Sequence, residues 1–92
     1  SNLIGEMEEA FKHYKEAIRI NPEFGRAHSN IAMLYYGLKY GKETIHHLAK
    51  AADIFMETGE EFMEKNARDL MQECGSEFGL KPDESCWKHS EK

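Results

Sequence analysis

The residues of this chain best suited to metal or redox chemistry are its five histidines and two cysteines. His46 and His47 are neighbours, so on a helix their side chains point about 100° apart and do not chelate one ion from one face. His13 and His47 read as outer-face residues, and His28 as a packing residue with a polar tip. Cys74, Cys86 and His89 together supply three zinc ligands, but a structural site wants four at tighter paired spacing. The preferred reading is a Cys74 that caps the apolar face of a fourth helix and a Cys86 left in a tail. No glycine-rich phosphate loop, no HExxH and no nucleophile–base pair in a recognisable context occurs. Carboxylates are scattered over helix exteriors. The expectation is a non-enzymatic protein with no catalytic, cofactor-binding or metal-binding residues.

Composition bounds the partners. Ninety-two residues make one small domain, and a core of that size is marginal unless its helices pack well or a partner covers an exposed end. At 40% apolar and 32% charged residues the chain is too apolar for disorder. The formal charge of −5, without three consecutive Lys/Arg residues anywhere, argues against a nucleic-acid groove and against a polybasic membrane anchor. No apolar run approaches the roughly 20 residues that span a bilayer. Ser1-Asn2 reads as a cleavage scar and is set aside from fold reasoning. The two cysteines suit a reducing compartment, so a cytoplasmic location is expected, with any native targeting signal outside this segment.

Four helices must position whatever the chain presents. The first is expected over about 6–20, after a break at Gly5, with Met7, Ala10, Phe11, Tyr14, Ala17, Ile18 and Ile20 as its buried face. Pro22 closes it, because proline removes a backbone donor and pushes Asn21 out of the helical region. The second is expected over 25–38, with Ala27, His28, Ile31, Ala32, Leu34 and Tyr35 inward. The third is expected over 42–56 and the fourth over 60–74, where Phe62, Met63, Ala67, Leu70, Met71 and Cys74 recur near the 3.6-residue period. Gly75 reads as a helix stop. These bounds give a helical domain over 1–75 and a tail over 76–92, with Phe78, Leu80 and Trp87 available to pin the tail.

The chain compares with itself at a shift of 34 residues. Ala17 falls on Ala51, Ile20 on Ile54, His13 on His47, Glu9 on Glu43 and Gly25 on Gly59. Phe11 meets Ile45, Tyr14 meets Leu48 and Ala10 meets Thr44. Together with the order Ala10, Tyr14, Ala17, Pro22 and the stripe His28, Ile31, Ala32, Tyr35, this resembles the tetratricopeptide repeat. The implied fold is all-α, an α-α superhelix of about one and a half repeats from Gly5 to Met56, closed by a C-terminal capping helix and a tail. Ala10, Tyr14, Ala17, Pro22, Ile31, Ala32, Tyr35, Leu48 and Ala51 are the repeat-packing positions. Three departures stand out: Met56 replaces the proline, His28 takes the slot of a large residue, and Ile31, Ala32 and Tyr35 map onto Lys65, Asn66 and Asp69.

The resemblance implies a protein-interaction module, a fragment of a longer array, that takes a peptide or protein segment on the second helix. The face expected to meet it is Arg26, Ser29, Asn30, Met33 and Tyr36. Asn30 sits where many peptide-binding members carry an asparagine that bonds ligand backbone. The alternative is a self-associating unit pairing through Met7, Phe11, Tyr14 and Ile18, because the first helix has no preceding partner helix.

Overall fold

The computed structural model describes residues 3–80, which form four α-helices and no strand: α1 Leu3–Ile20, α2 Gly25–Gly37, α3 Gly41–Thr58 and α4 Glu61–Phe78. Ser1, Asn2, Cys86, Trp87 and His89 lie outside the described residues. The fold is all-α. Helices α2 and α3 pack closely, as do α3 and α4, whereas α1 leans on α2 with less intimate contact.

The turn between α1 and α2 is built from the residues that mark it in sequence. The Asn21 side-chain oxygen accepts the Glu23 amide at 3.2 Å, and the Phe24 amide donates to the Asn21 carbonyl at 3.0 Å. Helices α2, α3 and α4 end alike. The amides of Tyr40, Glu60 and Leu80 reach back to the carbonyls of Tyr35, Phe55 and Gly75 at 3.0, 2.9 and 2.8 Å. This closure needs a left-handed residue just past the helix. Gly59 and Gly79 supply it at α3 and α4, but Lys39, with φ 64°, supplies it at α2.

Several expected boundaries shift. Helix α1 starts at Leu3 and runs through Gly5. Helix α3 continues past Met56 to Thr58, because methionine keeps the backbone donor that proline lacks. Helix α4 runs through Gly75, which is buried inside it, and stops at Gly79 instead. Phe78 therefore belongs to the helix, and both Phe78 and Leu80 pack on the core.

Small residues set the spacing of the core. Ala32, Ala51 and Ala52 are fully buried beside Ile31, Ile45 and Leu48, which lets α2, α3 and α4 approach closely. Gly25 opens α2 directly against the Phe55 ring. At the edge of the α3–α4 seam, Arg68 bonds Glu64 at 2.9 Å and Asp53 at 3.4 Å.

Two apolar residues expected inward are exposed. Ile20 is 68% accessible and Phe62 80%. Each stands nine residues from a packing residue of its own helix, Phe11 and Met71. Nine residues are about two and a half turns, so each points to the opposite side.

Candidate functional site

Ser29, Asn30 and Met33 of α2 form one wall of a cleft of about 280 Å³. The facing wall is Met63, Asn66 and Leu70 of α4, and the floor includes Leu48 and Phe55 of α3. Met33 and Leu70 continue into a second recess of about 130 Å³, shared with Tyr36, Glu73, Cys74 and Glu77. The two recesses run end to end along the α2–α4 junction. Arg26 is set apart from them, in a depression with Asn21, Phe24 and Glu60 near the start of α2.

Four of the five residues expected on the second helix thus share one groove, with Arg26 to one side. The α4 wall is absent from the sequence expectation because the 34-residue frame breaks there. Helix α2 opens at Gly25 and α4 at Glu61, 36 residues later. The net two residues arise because α3 ends four residues beyond the position that Ile20 maps to, while the turn after it is two residues shorter than the α1–α2 turn. A 36-residue offset pairs Asn30 with Asn66, and that pairing was available in the sequence.

One end of the groove is acidic. The Tyr36 hydroxyl donates to Glu77 Oε1 at 2.7 Å, and its ring meets Phe78 edge-on at 6.0 Å. The hydrogen bond to Glu77, reinforced by the charges of Glu77 and Glu73, pushes the Tyr36 hydroxyl pKa up. Burial pushes the Cys74 thiol up, and Glu77 and Glu73 add to it. Cys74 is buried and carries no disulfide.

Away from the groove, a train of rings joins α1, α2 and α3. Phe11 meets Tyr35 edge-on at 5.1 Å, Tyr35 stacks on His47 at 5.5 Å, and His47 stacks on His28 at 5.5 Å. The two histidine Nδ1 atoms are 3.2 Å apart, and His28 Nε2 lies 3.0 Å from the Pro22 carbonyl oxygen. That carbonyl can only accept, so His28 donates from Nε2 and its Nδ1 accepts from His47. Both rings are neutral in this pattern. Burial foremost, with electrostatic contributions from the neighbouring His46, His28 and Lys15, pushes His47 down to about 4. Burial foremost lowers His28 as well.

His47 is therefore not an outer-face residue. It is half-buried on α3, and the Tyr35 ring covers it. His28 packs inward with its polar tip satisfied, and His13 faces water 4.0 Å from Glu9. Among the described residues no group of three or more His, Cys, Asp or Glu is placed to hold a metal ion.

The repeat-packing positions divide by helix. Ile31, Ala32, Leu48 and Ala51 are buried, and Tyr35 is half-buried. Ala10, Tyr14 and Ala17 are also only half-buried, as are Met7, Phe11 and Ile18. No residue of α1 is fully buried, although its apolar stripe is continuous.

Residues 3–39, the span of α1, α2 and the turn between them, match the family model described as TPR repeat. No curated protein and no solved structure matches the chain.

Proposed function

We propose that this chain, whose residues 3–39 match the tetratricopeptide-repeat family model, is a non-enzymatic interaction module that holds a protein segment between α2 and α4. The observation that carries this reading is the groove itself. Ser29, Asn30, Met33 and Tyr36 sit along one edge of α2, and α4 stands across from them. The groove is open, its floor is apolar at Leu48 and Phe55, and its walls add Met33 and Leu70. Asn30 and Asn66, one on each wall, offer carboxamides that both donate and accept, which suits the backbone of an extended segment. The α4 wall spans Met63 to Glu77, about 21 Å at helical rise, the length of roughly six extended residues.

The working module is a scaffold that recognises protein through shape and hydrogen bonds, at a cytoplasmic location, without nucleic acid. No described helix is long and apolar enough to cross a membrane. A pull-down comparing the wild type with an Asn30→Ala/Tyr36→Ala variant tests the site. Loss of captured protein with an unchanged circular-dichroism spectrum is expected, and an unchanged capture pattern would remove the groove from consideration.

One observation favours a second reading. Met7, Phe11, Tyr14 and Ile18 form a stripe that the fold leaves half-exposed. A second copy, or another helix of a longer array, would cover it. Light scattering across a concentration series distinguishes the two. Mass rising with concentration, and abolished by Phe11→Glu, supports pairing through α1; a constant monomer mass ends it.

A further inference from the structure

The groove carries a charge asymmetry that names its occupant more narrowly, on the premise that the α2–α4 groove is the binding site. Its centre is apolar, with Met33 and Leu70 common to both recesses. The rim of the smaller recess holds two carboxylates, Glu73 and Glu77, one helical turn apart on α4. No ion pair among the described residues engages either of them. The other α4 carboxylates near a cation are committed: Glu64 to Arg68 at 2.9 Å and Asp69 to Lys65 at 2.9 Å.

Neighbouring groups register the field at this end. The Tyr36 hydroxyl and the Cys74 thiol, on the two walls of the recess, are both held more firmly protonated with Glu77 and Glu73 contributing. A ligand carboxylate placed here would meet like charge; a lysine or arginine would meet complementary charge beside an apolar seat.

We infer that the occupant is a short extended protein segment with an apolar side chain seated over Met33 and Leu70 and a lysine or arginine reaching Glu73 and Glu77. The segment runs with its basic end toward the C-terminal ends of α2 and α4. An acidic tail, whose carboxylate would need basic groove residues, is the wrong ligand for this surface.

Three fluorescein-labelled octapeptide pools test this. Each has a centre randomised among Leu, Met, Phe and Tyr, with flanks of Lys, Gln or Glu. Fluorescence anisotropy should rank Lys above Gln above Glu, with the Lys pool binding about five- to tenfold tighter than the Gln pool at low salt. That advantage should shrink below about twofold near 0.5 M salt. Glu73→Gln/Glu77→Gln should bring the Lys pool to the Gln level and leave the Gln pool unchanged. The variant Glu8→Gln/Glu9→Gln, on exposed α1 positions, carries the same charge change elsewhere and should leave the ranking intact. An equal loss in that control would mean general attraction to a chain of charge −5 and would overturn the inference. If the Gln and Lys pools bind equally and Met33→Asp abolishes both, the groove stands and the basic-segment inference falls. If no pool binds the folded protein, both fall.

Discussion

Replacing Gly25 by alanine brings a methyl carbon to 2.7 Å from Phe55 Cε1, with Cζ at 3.1 Å and Cδ1 at 3.2 Å. Two effects oppose each other. Alanine at a helical position normally gains up to about 1 kcal/mol over glycine, through lower unfolded-state entropy. The contact is closer than carbon atoms tolerate, and the Phe55 ring is 2% exposed, so it cannot swing away into solvent. Overpacking of this kind costs roughly 1–3 kcal/mol. The clash wins, and Gly25→Ala should destabilise by about 1–2 kcal/mol, or roughly 4–16 °C in Tm for a domain of this size. The assay is urea unfolding followed by far-UV circular dichroism, run as a double-mutant cycle with Phe55→Leu. Without the ring, Gly25→Ala should become neutral or mildly stabilising, a coupling of about 1–3 kcal/mol. A Gly25→Ala protein more stable than wild type with Phe55 in place would refute the close approach of α2 to α3.

Other perturbations separate the parts of the fold. Ala51→Leu fills a fully buried position and should cost about 1–3 kcal/mol. Ala17→Leu, at a half-buried position on α1, should cost less than about 1 kcal/mol in the same melts; equal penalties would mean that α1 packs as tightly as α3. Lys39→Gly relieves a left-handed residue and should stabilise by roughly 0.5–1 kcal/mol, with any loss contradicting the helix-end geometry. For pH, both His28 and His47 titrate lower folded than unfolded. The unfolded chain therefore binds more protons below about 6.5, and stability falls as pH drops from there toward about 4. His47→Gln should flatten that slope in denaturation midpoints taken across the window, and an unchanged slope would remove the ring train as its source.

Much of the architecture was legible because it rests on local chemistry. Asn21-Pro22 ends α1 by sterics that need no tertiary information. The stripe Ile31, Ala32 with Ile45 and Leu48 marks the buried faces of α2 and α3 by spacing alone. What failed depended on competing signals or on neighbours. Gly75 looked like a helix stop, but Gly79 provides the left-handed turn and Gly75 stays inside the helix. Met56 marked the missing proline, yet its consequence, a longer α3 and an α4 displaced by two residues, needed the helix to be followed to Gly59. That displacement hid the α4 wall, because Met63, Asn66 and Leu70 fall out of register in a 34-residue frame. His47 looked solvated by analogy with His13, but the two differ in their surroundings. Tyr35 and His28 flank His47, whereas His13 faces water on α1 beside Glu9.

The central claim is that a protein segment lies between α2 and α4, and the five methionines are placed to test it. Met33 and Met63 line the groove, Met7 belongs to the α1 stripe, Met56 is exposed near the end of α3, and Met71 is in the core. NMR of isotope-labelled methionine methyl groups, titrated with the Lys-flanked peptide pool, reads all of these at once. The account predicts that the Met33 and Met63 signals move with saturation while Met7 and Met56 stay fixed. Movement confined to Met7, or to Met56, would place the interaction on another face and contradict it.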